Sequence, residues 1–183
     1  MPLDTFNREI NYLRISVIDR CNLRCPYCMP LGELPFHPRE ELLTPGEIGR
    51  VVQAALAAGF QRFRLTGGEP TLRRDIVEIV QEVKRAGDFE LAMTTNGLLL
   101  PKLAQQLADA GLDRVNIHLD TLNEERLRQV MRFNDLKKVW TGIEAAEAAG
   151  LVPVKLNSVV VRDLNEHDVV SLASLTLEHP WHV

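Results

Sequence analysis

Tyr12-Leu13-Arg14-Ile15-Ser16-Val17-Ile18 runs directly into Asp19-Arg20-Cys21-Asn22-Leu23-Arg24-Cys25-Pro26-Tyr27-Cys28. The first part alternates apolar and polar residues, the pattern of a strand with two unlike faces. The second places all three cysteines of the chain in the loop after that strand. The C-terminal end of a strand is where βα enzymes carry their chemistry. An odd cysteine count at such tight spacing suits a metal or catalytic role better than a disulfide framework.

Working outward, strand and helix patterns alternate with no low-complexity linker. Thr44-Pro45-Gly46-Glu47 predicts a helix start, with Thr44 as N-cap, Pro45 at the first helical position and Glu47 closing a capping box. Ile48, Val51, Val52, Ala55 and Leu56 follow at helical spacing, and Gly59 ends the run. A second strand is expected over 62–66. Asp75-x-x-Glu78 should cap the next helix, with Ile76, Ile79, Val80 and Val83 on one face. Further strands are expected over 90–94, 114–119 and 152–161, with helices after Pro101, Asn123 and Asp135 and from about Asn165. The end of the chain, His179-Pro180-Trp181-His182-Val183, reads as the approach to another strand and suggests a truncated chain.

Repeated βα units imply a parallel sheet with right-handed crossovers. The fold class is therefore α/β, an incomplete (β/α) barrel of parallel strands over a single domain, 1–183. A doubly wound sheet is the alternative, although no GxGxxG follows the first strand. Strand parity says more. Leu13, Ile15 and Val17 alternate with Arg14 and Ser16; Phe63 and Leu65 with Arg64 and Thr66; Leu91 and Met93 with Thr94 and Asn96. Val115, Ile117 and Leu119 alternate with Asn116, His118 and Asp120; Val152, Val154 and Leu156 with Lys155 and Asn157. Parallel strands are usually apolar on both faces. A polar parity repeated five times predicts a solvated ligand cavity on the concave side; a sheet face open to water is the alternative. Arg14, Arg64 and Lys155 fall on that parity with Asp120 as the counted carboxylate, which favours an anionic ligand such as a phosphate ester. Each cation taken singly could equally make a structural ion pair. Trp140 lies on an apolar helical stripe and reads as core, Glu144 and Glu147 as a solvated helix face, and Arg73 and Arg74 as local salt-bridge formers.

Composition restricts the partners. Hydrophobic residues make up 45% and charged residues 25% of 183 residues, with a formal net charge of −4. That is a globular average with no bulk attraction to nucleic acid or a membrane surface. No apolar run is long enough to span a bilayer, and residues 1–9 lack the layout of a signal peptide, so a cytoplasmic protein is expected.

Three thiolates suit iron–sulfur clusters or zinc. A closed zinc site or a closed cubane needs four ligands, and there is no fourth cysteine. Three thiolates on a cubane leave one iron open. His37 as a fourth ligand would give a zinc site instead.

Cys21-x3-Cys25-x2-Cys28, with Tyr27 before the last cysteine, resembles the signature of the radical S-adenosylmethionine (SAM) superfamily, and Thr66-Gly67-Gly68-Glu69-Pro70 resembles its second motif. The likeness extends to the GTP 3′,8-cyclase family, which opens molybdenum cofactor synthesis. It runs through Tyr12-Leu13-Arg14-Ile15-Ser16, Asp19-Arg20-Cys21-Asn22, Cys28-Met29-Pro30, Arg73-Arg74-Asp75, Thr94-Thr95-Asn96-Gly97, Leu119-Asp120-Thr121-Leu122 and Val154-Lys155-Leu156-Asn157. The resemblance implies a lyase whose [4Fe–4S] cluster is held by Cys21, Cys25 and Cys28. It implies SAM contacts from Tyr27, Gly68 and His118, and GTP contacts from Arg14, Arg64, Thr94 and Lys155. Many members have serine where this chain has His118, whose alternative role is a cavity histidine satisfied by Asn116 or Asp120. The implied reaction begins with a 5′-deoxyadenosyl radical that takes the ribose C3′ hydrogen of GTP, after which C3′ attacks guanine C8. The implied partners are GTP and an electron donor such as flavodoxin or ferredoxin, and a homodimer is compatible with the family. Its second three-cysteine cluster and glycine tail are not in this sequence, so the last strand or strands and that cluster are expected to be missing. A radical SAM maturase of a peptide is the competing enzyme reading, and an inactive cluster- or zinc-binding fragment the non-enzyme one.

Overall fold

The computed structural model describes residues 2–29, 32 and 34–183; Met1, Pro30, Leu31 and Glu33 lie outside it. The Cys28-Met29-Pro30 part of the resemblance is therefore described only as far as Met29. Five strands form one parallel sheet: β1 (Tyr12–Ser16), β2 (Arg62–Thr66), β3 (Glu90–Thr95), β4 (Arg114–His118) and β5 (Lys155–Asn157). Their spatial order, β1-β2-β3-β4-β5, is the chain order, and the sheet is not closed. A doubly wound sheet reverses direction at a switch point. Here every crossover advances the same way. Right-handed crossovers that all advance in one direction put every helix on one face, which settles the architecture as an incomplete barrel.

Among the described residues five α-helices carry those four crossovers, α1 (Pro45–Ala57), α2 (Ile76–Arg85), α3 (Leu100–Asp109), and α4 (Glu124–Val130) with α5 (Leu136–Ala148), and a sixth, α6 (Val169–Glu178), follows β5. The capping box at α1 forms as predicted, with both Thr44 and Glu47 engaged. Asn123 and Asp135 cap α4 and α5 through their side chains. Asp75 sits at the N-cap of α2 but makes no side-chain cap bond, because Arg73 occupies its carboxylate from Nε at 2.8 Å.

The apolar parity is buried under the helices. Phe63, Leu65, Leu91, Met93, Val115 and Ile117 are all within 1% of full burial and meet the inner faces of the helices in one continuous core. Removing such a side chain costs about 2–5 kcal/mol through lost burial and the cavity left behind. The last strand is shorter than expected. Val152 is exposed, and Pro153 has no N–H to donate to a ladder, so pairing begins only at Lys155. Beyond β5 the expected new strand starts as a single parallel bridge: Leu156 N–H donates to His182 O at 2.7 Å and His182 N–H to Val154 O at 3.0 Å. Trp181 closes that edge. It stacks on His179, packs on Trp140, and donates from Nε1 to Glu147 at 2.6 Å. Glu147 is therefore a bonded acceptor rather than part of a solvated face.

Candidate functional site

Sheet register sorts the polar parity into rows running across the concave face. The lower row puts Arg14 beside Arg64, Arg64 beside Ala92, and Ala92 beside Arg114. One step toward the strand C-termini, Ser16 neighbours Thr66, and Thr94 neighbours Asn116, which neighbours Lys155. The top row pairs His118 with Asn157. The sequence-predicted groups thus share one concave face at three heights.

At the top, a cavity of about 200 Å³ is lined by Cys21, Cys25, Cys28 and Tyr27 together with Gly67, Gly68, Thr94 and His118. The cysteine loop is built by short-range bonds. Cys28 and Met29 donate their N–H groups to Cys25 O at 2.9 Å, Leu23 N–H donates to Cys21 Sγ at 3.3 Å, and Arg24 folds back so that Nη1 donates to Cys21 O at 2.5 Å. Burial pushes the Cys21 thiol up, partly offset by the Leu23 N–H and reinforced by the charges of Glu69, Cys25 and Cys28. A bound metal would supply further positive charge and stabilise the three thiolates. His37 is not in this cavity. It lines a different one, beyond the loop, and its Nδ1 lies 3.0 Å from Glu41 Oε2, so the Cys3His zinc arrangement is not formed. Among the described residues no three His, Cys, Asp or Glu side chains converge on a single-ion site. Three thiols on one cavity wall fit a cubane, where each thiolate takes a separate iron.

Two buried carboxylates frame the cavity. Glu69 accepts at Oε1 from the Thr71 N–H at 3.1 Å, the Thr71 hydroxyl at 2.6 Å and the Thr95 hydroxyl at 2.7 Å, and at Oε2 from the Asn96 N–H at 2.7 Å. Asn96 Nδ2 donates onward to Asn22 Oδ1 at 2.7 Å, tying the cysteine loop to the end of β3. Asp120, fully buried, accepts from the Val159 N–H at 2.7 Å and from the Tyr27 hydroxyl, and lies 3.0 Å from His118 Nε2. His118 also meets the Tyr27 hydroxyl at 2.7 Å. Burial acts to lower the His118 pKa, but bonds to Asp120 and Cys25 and their charges outweigh it and carry it up to about 9. Burial and then Asp120 hold the Tyr27 phenol far above its ordinary range, so it stays a donor. His118 is thus satisfied by Asp120, as its alternative reading held, while its ring still lines the cavity.

Gly67 and Gly68 answer to the chain itself. A Cβ on Gly67 would meet Ile18 O and one on Gly68 would meet Arg20 O, both far inside van der Waals contact. Gly67 also has φ +150°. The close approach is locked by Gly68 N–H donating to Ile18 O at 2.7 Å and Glu69 N–H to Arg20 O at 2.8 Å.

Lower down, Arg14 and Arg64 line a cavity of about 250 Å³ with Tyr12, Arg62, Glu90 and Arg114. The Tyr12 ring carries three guanidiniums, of Arg64, Arg14 and Arg62, at 5.5, 5.6 and 5.9 Å from its centroid. Glu90 pairs with Arg114. The Tyr12 hydroxyl and Arg64 Nε are buried without a hydrogen-bond partner. Burial lowers the Arg64 pKa, as do the Arg114 and Arg14 charges, against the pull of Tyr12 and Glu90. Clustered cations with unsatisfied donors suit an anion. Tyr12, Arg62, Arg114 and Glu90 were missed in the sequence. All four lie on the even, polar parity, so the signal was present at the strand starts. Asp120, counted there as the cavity carboxylate, is instead consumed at the rim.

Comparison with known proteins agrees with this geometry. A sequence profile of the radical SAM superfamily matches residues 15–176. The GTP 3′,8-cyclase of Heliobacterium modesticaldum is 53% identical over 182 residues, 99% of this chain and 56% of the relative. That of Pelotomaculum thermopropionicum is 51% identical over 181 residues, 98% of this chain and 56% of the relative. This chain therefore spans little more than half the length of these curated relatives. Among solved structures, Streptococcus suis SuiB bound to precursor peptide SuiA superposes with a TM-score of 0.78 at 19% identity, over 93% of this chain and 37% of that one. At that identity the likeness is one of fold.

Proposed function

Because the chain belongs to the radical SAM superfamily, we propose that it is the cluster- and nucleotide-binding part of a GTP 3′,8-cyclase, a lyase acting in the cytoplasm. Among the described residues no helix is long and apolar enough to cross a membrane. The observation that carries the substrate assignment is the lower row. Arg14 and Arg64 are register neighbours, Arg114 lines the same cavity one strand beyond Ala92, and an unpartnered guanidinium nitrogen remains; that group is suited to a triphosphate and leaves a neutral peptide without a counterpart. The relatives at about 50% identity are cyclases, which supports the same choice.

Cys21, Cys25 and Cys28 would hold a [4Fe–4S] cluster. When bound, it supplies an open iron and the electron that cleaves SAM to a 5′-deoxyadenosyl radical. The chain's own residues orient and exclude. Tyr27, Gly68 and His118, all in the lining of the cysteine cavity, would contact SAM, with His118 held by Asp120. Arg14 and Arg64 take the phosphates from below, with Thr94 and Lys155 one row higher, nearer the cysteines. That vertical order aims the ribose of GTP at the SAM end of the cavity, and holding two reactants in one orientation is itself a large part of the rate. The guanine-binding second cluster is assigned to the length of the relatives that this chain does not span. The electron is supplied by a one-electron protein such as flavodoxin or ferredoxin.

Reconstituted full-length protein with dithionite and without oxygen should form 5′-deoxyadenosine and (8S)-3′,8-cyclo-7,8-dihydroguanosine 5′-triphosphate. Cys25→Ala should remove about half of the bound iron and visible absorbance, the share of the cluster held by this loop, and bring both products to background. Product that persists without Cys25 would refute the assignment.

A further inference from the structure

Outside the cysteine loop lies a second polar cavity, of about 330 Å³, that the proposed reaction does not use. Arg20, Arg39, Arg73 and Arg74 line it with His37 over an apolar floor, and among the described residues no carboxylate is in its lining. Two of these cations are committed. Arg73 is buried and donates to Asp75, to Val17 O at 2.7 Å and to Leu43 O at 2.5 Å, and His37 is beside Glu41. Arg20, stacked on Phe36 at 5.8 Å, is exposed, as are Arg39 and Arg74. Among the described residues, the acidic groups beside its lining are Asp19, which accepts from the His37 N–H at 2.7 Å, Glu40 and Glu41 next to Arg39 in sequence, and Asp75 paired with Arg73.

The position of this cavity gives it meaning. Ile18 and Arg20 form one of its walls, and these residues accept the hydrogen bonds of Gly68 and Glu69. Gly67, Gly68 and Cys21 line the cysteine cavity on the other side. A single thickness of crossed backbone therefore separates the two, and Arg20 directly precedes Cys21. The inner side is where cofactor and substrate enclose each other, which leaves the outer side as the approach for a protein that delivers an electron.

We propose that this basic cavity and its Arg20–Arg39–Arg74 rim are the docking surface for an acidic one-electron protein that reduces the cluster, a proposal that rests on the cluster reading above. On a chain of net charge −4, a local group of guanidiniums is the feature an acidic partner can find. Redox encounters use small interfaces, below about 1,200 Å², and electrostatic steering sets their on-rate. The step is balanced by one electron: the donor's flavin or iron–sulfur centre is oxidised by one, the thiolate-held cluster is reduced by one, and no atom or proton crosses.

The test uses reconstituted full-length protein, with cluster reduction followed by stopped-flow absorbance. Two reductants are compared: reduced flavodoxin and dithionite. Arg39→Gln with Arg74→Gln should slow reduction by flavodoxin about tenfold and flatten its salt dependence, with the dithionite rate unchanged. A flavodoxin rate and salt slope equal to wild type would overturn the docking site. So would inorganic phosphate binding tightly in the cavity while flavodoxin reduction ignores the substitutions, which would assign the cavity to a small anion. Wild-type protein that dithionite cannot reduce at all would instead overturn the cluster reading. If the double variant loses iron, Arg74→Glu alone, remote from the cysteine loop in sequence, supplies the same comparison.

Discussion

At the rim of the sheet, Glu69 and Asp120 are buried carboxylates whose oxygens meet donors from several distant segments. On its floor, Arg14 and Arg64 are register neighbours and share a cavity with Arg114, with Glu90 as the carboxylate among them and with buried donors left over. The rim is complete without a ligand and so belongs to the fold. The floor keeps buried polar atoms without a partner in the chain, as the proposed binding role requires. Equal polarity in the sequence thus marks two kinds of residue, separated only by whether their partners are already in the chain.

The largest way to break this contrast is Glu69→Ala. It leaves the Thr71 and Asn96 N–H groups and two hydroxyls unpaired in a buried place, and should cost the metal-free chain about 3–5 kcal/mol of unfolding free energy in urea. Glu69→Gln, which keeps acceptors, should cost markedly less. A small loss for Glu69→Ala would mean the rim is not structural. Next is Arg64→Met on the floor. It removes a like charge, so apo stability should hold or rise by about 1 kcal/mol, while GTP affinity by calorimetry falls roughly thirtyfold, about 2 kcal/mol. A variant that unfolds more easily yet binds GTP as well as wild type would reverse the assignment of the floor.

The smallest effect comes from acid. Burial acts to raise the Asp75 pKa, but the bond and charge of Arg73 outweigh it and hold the folded value below the ordinary one. A depressed folded pKa contributes stability above the unfolded value that disappears as pH falls through the folded value. Wild type should therefore lose about 1 kcal/mol more than Asp75→Asn between pH 6 and pH 3 in the same urea measurement. Parallel pH curves would show that the pair contributes nothing.

What could be read from the chain follows the range of the forces involved. The α1 cap, the caps from Asn123 and Asp135 and the first four alternating strands depend on neighbours within four residues and form as expected, whereas β5 is cut to Lys155–Asn157. The failures are longer-range. Asp75 has a cap sequence, yet Arg73, turned toward Val17 and Leu43, takes its carboxylate. Asp120 lies on the polar parity, but Tyr27 and Val159, far away in sequence, convert it to a strut. Tyr12, Arg62, Glu90 and Arg114 begin their strands, and only the register shows that they face Arg14 and Arg64. The cysteine motif needed no such help, since its three thiols are brought together by one short loop.

The crossing of Gly67 and Gly68 under Ile18 and Arg20 reaches beyond chemistry. The pair is demanded by two stretches of main chain lying against each other, with or without anything bound. A descendant that had lost its cysteines, and with them every reaction, would still be held to both glycines for as long as it kept these two loops. Finding them in a genome therefore dates the scaffold and not the catalyst.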